Sequence, residues 1–249
     1  MKSFFLQSTT LLGFLVGWQI LIKTAAISPL VLPGPLDVLH AVLHHHRELI
    51  NETAVTAYEA ILGFLGSAII AYMIAIIFVH VRLLEQAMMP YAIGLKSIPL
   101  IALAPLIVMW CGEGVFSKIV MSALVSFWPI LVGAVQGLRA IKPDALALMS
   151  SLGADKWQVL TKLRVPSSTG YTFAALKIAS SLSVVGAVIA ELVGSTRGIG
   201  HLINVNSYYL HTDLVFAGVA FISAVALALY GGLSVLEGKF RFWHERSID

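Results

Sequence analysis

Charged residues are scarce in this chain of 249 residues. Asp, Glu, Lys and Arg make up 12% of it, whereas soluble domains carry about 25%. Hydrophobic residues make up 58%. So few charges can hardly provide a water-facing surface for a chain of this length, which argues against a soluble domain. A lipid bilayer is the natural solvent instead, and an all-α membrane protein is the expected fold class.

The chain has one cysteine and no nucleotide-binding motif of the Walker A type. Cys111 is the single cysteine, so no intramolecular disulfide can form. No Gly-x-x-x-x-Gly-Lys-Ser/Thr motif occurs; the fragment from Gly232 to Lys239 has the wrong spacing. We therefore expect this chain to bind no cofactor. The net charge of +3 is weak evidence for a nucleic-acid partner, and we expect none, because basic residues in membrane proteins mark cytoplasmic loops.

Long apolar runs are abundant. A helix needs about 20 mostly apolar residues to cross a bilayer. We predict a polytopic bundle of about six spans: residues 4–22, 54–79, a broken segment at 87–110, 116–138, 169–193 and 214–236. Together they form a single membrane domain, residues 1–249. A signal peptide is the alternative for the first run, but no small-x-small cleavage site follows it.

The distribution of Lys and Arg predicts the orientation. With the N-terminus inside, the cytoplasmic side carries ten of them: Lys2, Arg82, Arg139, Lys142, Lys156, Lys162, Arg164, Lys239, Arg241 and Arg246. The outer side carries three: Lys23, Arg47 and Arg197. Because positive residues concentrate in cytoplasmic loops, both termini are expected in the cytoplasm of a cell (inner) membrane protein.

Three prolines interrupt the third segment: Pro90, Pro99 and Pro105. A proline inside a helix removes a backbone hydrogen bond, and in lipid the freed carbonyl needs a partner in protein or a wet cavity. We therefore predict a bent segment within the bundle and take Lys96 and Pro99 as candidate pathway residues. The alternatives are a kink that only shapes packing and a Lys96 that snorkels to the surface.

Two acidic residues lie within predicted spans. Glu191 is the third candidate pathway residue, because an acid inside a membrane is a functional hypothesis by default. A position at the headgroup level, beside Gly194 and Arg197, is its alternative. Glu59 in the second span raises the same question.

Histidines and glycines outside the spans have simpler interpretations. His44, His45 and His46 are consecutive and cannot share one helix face, and no nearby cysteine completes a site, so no metal site is expected. They fit a solvated outer helix over residues 36–49. The glycines of residues 194–200 predict a turn into a short outer helix that ends near His211.

Residues 139–168, RAIKPDALALMSSLGADKWQVLTKLRVPSS, are too polar to span. Pro143 begins a predicted helix that continues through Ser151, and Gly153 ends it. A second short amphipathic helix follows, and Pro166 stops it.

The second helix has an apolar face with Trp157, Leu160 and Leu163 at i, i+3 and i+6. Two short helices exposed between spans can dock a soluble partner. Side chains such as Trp157 and Leu160 would then enter a groove on that partner.

This stretch resembles the EAA loop of ABC importer permeases. That loop has a Glu-Ala-Ala triplet, a glycine four residues later and a Leu-Pro ending. Gly153 and Pro166 match at the expected spacing, whereas the triplet reads Ala147-Leu148-Met149 and Val165 replaces the leucine. The resemblance implies these ATPase-coupling residues: Ala147, Gly153, Ala154, Trp157, Leu160, Leu163 and Pro166.

The resemblance covers nearly the whole chain. Residues 32–35, 98–106, 127–130, 190–191 and 212–218 look like the sulfonate/nitrate/taurine branch of that family. The branch also includes permeases for bicarbonate, thiamine pyrimidine precursors and riboflavin. Residues 175–179 and 185–189 look closer to the precursor and riboflavin members.

The resemblance implies a type I ABC importer permease. Such a permease forms a homodimer in membrane lipid, docks a cytoplasmic ATPase that binds ATP and Mg²⁺, and receives solute from an extracytoplasmic binding protein. It moves that solute inward by alternating access. The expected solute is of sulfonate, taurine or nitrate type; a thiamine pyrimidine precursor or riboflavin is the alternative.

Two other classes have less support. An ion-coupled secondary transporter needs carboxylates deep in the bundle and often internal repeats, whereas Glu59 and Glu191 lie towards span ends. An intramembrane enzyme needs a nucleophile–base or metal constellation, which the sequence does not show. The chain is therefore expected to be a transport subunit and not an enzyme.

Overall fold

The computed structural model describes residues 2–96 and 98–240, which form helices and connecting turns without a strand. The helices are α1 (Lys2–Thr24), α2 (Pro35–His80), α3 (Arg82–Lys96), α4 (Leu100–Cys111), α5 (Val115–Arg139), α6 (Pro143–Ser151), α7 (Lys156–Val159), α8 (Val165–Gly194), α9 (Ile199–Tyr208) and α10 (Thr212–Phe240). A π-helical turn, Leu160–Arg164, joins α7 to α8.

Within the described residues, four helices are long and apolar enough to cross a membrane: α2, α5, the continuous helix Lys156–Gly194 and α10. They contain the predicted second, fourth, fifth and sixth spans. Helix α1 covers the predicted first span; its 23 residues extend about 34 Å at 1.5 Å per residue. The predicted all-α, multi-pass bundle is confirmed.

The third predicted segment consists of two helices, α3 and α4. The helical segment is interrupted before Pro99, whose extended backbone (φ −62°, ψ 101°) precedes α4. Pro90 and Pro105 lie inside helices, so the expected interruption is correct only at Pro99. Helix α4 has 12 residues and is too short to cross a bilayer alone.

The predicted outer helix over 36–49 is not separate from the second span. Both belong to α2, which has 46 residues and a kink at His45 (φ −111°, ψ 18°). At its start, the Asp37 carboxylate accepts a 2.8 Å hydrogen bond from the Gly34 N–H, which closes the helix N-terminus. The kink lets one helix include both segments.

The prediction that Pro166 stops a short helix is wrong. The helix runs unbroken from Lys156 to Gly194, and Pro166 occupies the first turn of α8. In the π turn before it, the Val165 N–H donates to the Leu160 carbonyl, five residues back. This wider turn accommodates a residue that lacks an N–H, so the helix continues through the proline.

Helix α5 lies at the centre of the bundle, between α2 and α8. A methyl group on Gly63 would lie 2.5 Å from the Ser122 hydroxyl oxygen, and one on Gly133 would overlap Ala175 Cβ. These helices therefore approach as closely as glycine permits. Gly63 therefore lies in a close helix contact, whereas a methyl group on Gly66 would meet no heavy atom within 4 Å.

Two buried clusters define the ends of the bundle. Phe78, Leu138 and Leu160 pack together where α2 and α5 end, which we call the coupling end. Leu49 and Leu214 pack together with α9 at the opposite end, which we call the α9 end.

Candidate functional site

Helix α6 begins and ends where the sequence predicted, at Pro143 and Ser151. Gly153 follows with φ +70°, in the left-handed region that favours glycine. The Gly153 N–H donates to the Ser150 carbonyl at 3.0 Å, and the Ala154 N–H donates to Met149 at 3.0 Å. These bonds close the helix end, and the predicted glycine turn is confirmed.

Helix α7 begins with a capping box that the sequence analysis missed. The Asp155 carboxylate accepts from the Gln158 N–H at 2.7 Å, and Gln158 Oε1 accepts from the Asp155 N–H at 3.1 Å. An acidic residue followed three positions later by glutamine was the available signal. The box fixes the direction in which the long helix leaves the glycine turn.

Three large apolar side chains on the two sides of this turn are exposed, those of Leu148, Leu152 and Trp157. They are 61%, 73% and 69% exposed, respectively. Several exposed apolar side chains in one short segment are typical of a surface that binds another protein. The sequence analysis identified Trp157 but missed the two leucines, although their i, i+4 spacing just before Gly153 was visible. We call these three residues the docking surface.

Leu160 does not belong to the docking surface. It is 2% exposed and packs with Phe78 and Leu138 inside this chain. The prediction that its side chain enters a groove on a partner is therefore wrong, because its apolar face is already buried. Its position instead connects the docking surface to the bundle.

The remaining predicted coupling residues fall into two groups. Ala147 and Gly153 are exposed, whereas Ala154, Leu163 and Pro166 are half-buried. The exposed pair neighbours the docking residues in the chain, Ala147 before Leu148 and Gly153 after Leu152. Ala154 follows the glycine turn, whereas Leu163 and Pro166 lie where α7 continues into α8.

Three contacts tie the coupling segment, residues 139–168, to the neighbouring helices α5, α3 and α2. The Arg164 guanidinium donates a 2.8 Å hydrogen bond to the Leu138 carbonyl at the end of α5. Arg139 forms an ion pair with Glu85 of α3. The Trp157 ring lies 6.3 Å from that of His80 at the end of α2. These contacts hold the segment against the ends of α2 and α5.

A polar cluster at the α9 end holds the start of α9. Glu191 Oε1 accepts from the Thr56 hydroxyl at 2.6 Å, and Glu191 Oε2 accepts from the Gly200 N–H at 2.6 Å. The Thr56 oxygen in turn accepts from the Ile199 N–H at 2.8 Å. Helix N-termini carry free N–H groups and partial positive charge, so a carboxylate suits this position.

Glu52 extends the same cluster towards the surface. It accepts from the Gly198 N–H at 2.5 Å and pairs with Arg197 at 2.9 Å. Gly198 has φ +98°, and a methyl group there would overlap the Glu191 carboxylate. The glycine is therefore required both by backbone conformation and by space.

Lys118 and Glu59 complete the cluster. Lys118 is 1% exposed and donates to the carbonyls of Gly194, at 2.6 Å, and Glu113. Glu59 is 2% exposed and interacts electrostatically with both Glu191 and Lys118. A buried ammonium thus joins the loop after α4 to the end of α8, close to two buried acidic side chains.

The three candidate pathway residues do not form one site. Glu191 is buried, and its bonds go to α2 and α9. Pro99 is exposed at the start of α4. Lys96 ends α3, but its side chain lies outside the described residues. Their role in the pathway stays a prediction.

No group of three or more His, Cys, Asp or Glu side chains that could hold a metal ion occurs in the described part of the chain. His45 instead lies 3.4 Å from Glu48, and His46 lies 2.9 Å from the Leu43 carbonyl.

Comparison with known proteins gives consistent matches over most of the chain. Residues 63–242 match the family model described as "Binding-protein-dependent transport system inner membrane component". A riboflavin transport system permease protein of Chloroflexus aurantiacus is 32% identical, over 94% of this chain and 88% of its own length.

Two further relatives carry other solute names. A formylaminopyrimidine transport permease protein of Halalkalibacterium halodurans is 27% identical, over 94% of each chain. A taurine transport system permease protein of Escherichia coli is 29% identical, over 94% of this chain and 88% of its own.

Proposed function

This chain belongs to the family of binding-protein-dependent transport system inner membrane components, as an ABC importer permease and not an enzyme, and from that premise we propose how it is coupled to its ATPase. The docking surface enters a groove on a cytoplasmic ATPase subunit. That subunit binds ATP and Mg²⁺, whereas this chain binds no cofactor. The motion of the ATPase then moves the long helix Lys156–Gly194 and, through it, the bundle.

The observation that carries the coupling proposal is the difference in exposure between two residues one helical turn apart. Trp157 is 69% exposed, whereas Leu160, one helical turn away, is 2% exposed. One residue is available to a partner and the other is fixed to the bundle. A helix segment with one residue bound to the partner and the next turn packed on the bundle transmits a displacement, because packed elements move as rigid units.

The remaining parts of the proposal follow from the family. Two copies form a homodimer around the pathway, surrounded by lipid, and an extracytoplasmic binding protein delivers the solute. The coupling end and both termini then face the cytoplasm, which agrees with the distribution of Lys and Arg. The whole chain, residues 1–249, acts as one permease domain that includes the coupling loop at 139–168.

The solute class stays open between two groups at this point. A sulfonate, taurine or nitrate-type solute is the first, and a thiamine pyrimidine precursor or riboflavin is the second. An ion-coupled secondary transporter is the rival of a different class, and the affinity purification described next tests it as well.

The test is affinity purification of the tagged chain in mild detergent, with mass spectrometry of the proteins that accompany it. We expect a Walker-motif ATPase that is lost in Trp157→Ala. The matched control is Trp110→Ala, since Trp110 is also exposed (71%) but lies at the end of α4. Equal ATPase recovery from both variants would contradict the proposal that the docking surface binds the ATPase. Uptake driven by an ion gradient without any ATPase would favour the secondary transporter.

A further inference from the structure

Helix α1 is attached to the bundle near its C-terminal end. The Trp18 ring lies 5.8 Å from the Phe216 ring of α10. Gln19 Oε1 accepts a 3.3 Å hydrogen bond from the Leu36 N–H at the start of α2. Among the residues of α1 whose burial is described, Ile22 is the only buried one. These few contacts leave space between α1 and the bundle.

An apolar groove of about 780 Å³ occupies that space, between α1, α2 and α10. On α1 its lining extends from Leu12 to Gln19, a rise of about 10 Å along the helix. Leu39 of α2 and Val219 of α10 line the other walls. Among the described residues that line it, Gln19 has the only amide side chain and none is charged. Walls of this composition favour a hydrocarbon chain over a polar ligand.

Polar side chains lie at one end of the groove. Lys23 is exposed and follows Gln19 by four residues, so both side chains lie on the same face of α1. Gln19 and Asp37 are neighbours across Gly34, because a methyl group on that glycine would lie 2.9 Å from Gln19 Oε1 and 3.1 Å from Asp37 Oδ2. This end of the groove therefore has an amide with a cation and a carboxylate nearby.

The polar end lies at the membrane boundary. Lys23 belongs to the last turn of the 23-residue α1, where a spanning helix reaches the lipid headgroups. Phe216 lies one turn into α10, which begins shortly after α9, so this boundary is the one at the α9 end. From there the groove extends towards the middle of the membrane. A phospholipid has the same order, with its charges at the boundary and its acyl chains in the interior.

We propose that the groove binds one phospholipid from the leaflet at the α9 end, with a headgroup that carries both a phosphate and an amine. One acyl chain lies between α1 and the bundle, against Leu12 and Leu39. Lys23 attracts the phosphate, and the Gln19 amide nitrogen donates a hydrogen bond to it. The exposed Asp37 carboxylate pairs with the ammonium. The lipid thereby stabilises the position of a helix that makes few contacts of its own.

Native mass spectrometry of the full-length chain, purified in detergent and freed of lipid, measures this binding. The probes are dioleoyl phosphatidylethanolamine, dioleoyl phosphatidylglycerol and dioleoylglycerol, which share their acyl chains and differ in the headgroup. We expect one phosphatidylethanolamine per chain, bound about fivefold more tightly than phosphatidylglycerol and more than about tenfold more tightly than dioleoylglycerol. Equal affinity for phosphatidylethanolamine and dioleoylglycerol would overturn the proposal.

Two variants test the charged groups. Lys23→Gln should weaken binding of phosphatidylethanolamine about fivefold, whereas Lys23→Arg should retain it. Asp37→Asn keeps an oxygen for the Gly34 N–H but removes the charge, so the preference for phosphatidylethanolamine over phosphatidylglycerol should disappear. A preference that persists in Asp37→Asn would contradict the assignment of the amine to this carboxylate.

A third variant tests the groove itself. Ala220 is exposed on α10 and lines the groove, so Ala220→Trp should fill it and weaken lipid binding about tenfold. The matched control is Ala228→Trp, at an exposed alanine two turns further along α10 that is not part of the lining. This control should bind lipid like the parent. Equal lipid binding by the two variants would place the lipid elsewhere and overturn the site.

Thermal unfolding separates loss of the site from loss of folding. In lipid-free detergent, Ala220→Trp should unfold at the midpoint of the parent. Added phosphatidylethanolamine should raise the midpoint of the parent but not that of the variant. The same mass spectra report the number of chains per particle. A change in that number in Ala220→Trp, with lipid binding unchanged, would show that a second copy of the chain covers the groove and would overturn the lipid site.

Discussion

The Thr56 hydroxyl donates a 2.6 Å hydrogen bond to Glu191, a residue 135 positions away in the sequence. The same oxygen accepts from the Ile199 N–H at 2.8 Å. One side chain therefore joins α2, α8 and the start of α9. Because all three partners are buried, water cannot replace a lost bond.

Thr56→Val should destabilise the protein by about 2–3 kcal/mol, because it leaves a buried carboxylate oxygen and a buried N–H unsatisfied. The matched control is Thr53→Val, one turn earlier on α2. The Thr53 hydroxyl is buried without a hydrogen-bond partner among the described residues, so this change should be neutral or slightly stabilising. Thermal unfolding in detergent compares the two, and equal losses of stability would contradict the proposed bridge.

Lys118→Met should destabilise the protein by about 3–5 kcal/mol, because it leaves the carbonyls of Glu113 and Gly194 without their charged donor and removes the cation that interacts electrostatically with Glu59 and Glu191. Adding Glu59→Gln to this variant removes one carboxylate and should restore part of the stability. Unfolding midpoints of the parent, both single variants and the double variant complete the cycle. A double variant no more stable than Lys118→Met would show that the charges do not interact.

Gly63→Ala and Gly66→Ala test how closely α2 and α5 approach. A methyl group on Gly63 would meet the Ser122 oxygen at 2.5 Å and the Ile119 carbonyl at 2.7 Å, whereas Gly66 has open space. Since backbone atoms cannot move aside easily, Gly63→Ala should cost about 1–3 kcal/mol. Gly66→Ala should be neutral or stabilising, because alanine favours a helix. Similar unfolding midpoints for both variants would argue against the close approach.

Local signals made much of the fold predictable from the sequence. The apolar runs located the spans, and Pro143 and Gly153 bounded α6, since a first-turn proline and a left-handed glycine act within a few residues. The prediction that Pro166 stops a helix was wrong because the effect of this proline depends on the π turn that precedes it. That turn has a hydrogen bond from the Val165 N–H to the Leu160 carbonyl, which no residue pattern indicates.

The sites were less predictable because they depend on contacts between distant segments. An amphipathic pattern places Trp157 and Leu160 on the same apolar face of a helix. It does not show which of the two side chains packs within the bundle and which is exposed. Likewise, Glu191 was recognised as an unusual acid, but its partners Thr56 and Gly200 could be identified only from the folded chain.

Gly153 provides a test of the coupling segment that separates backbone conformation from side-chain size. Its φ of +70° is costly for a β-branched residue, whereas asparagine tolerates the left-handed region. Gly153→Val should therefore shift α6 relative to α7 and reduce recovery of the ATPase about tenfold, for a cost of about 1–2 kcal/mol. Gly153→Asn should retain most of it. A methyl group placed on Gly153 would meet no atom within 4 Å, so a loss confined to the valine variant reports on the turn itself. Equal recovery from both variants would mean that the ATPase does not depend on this turn.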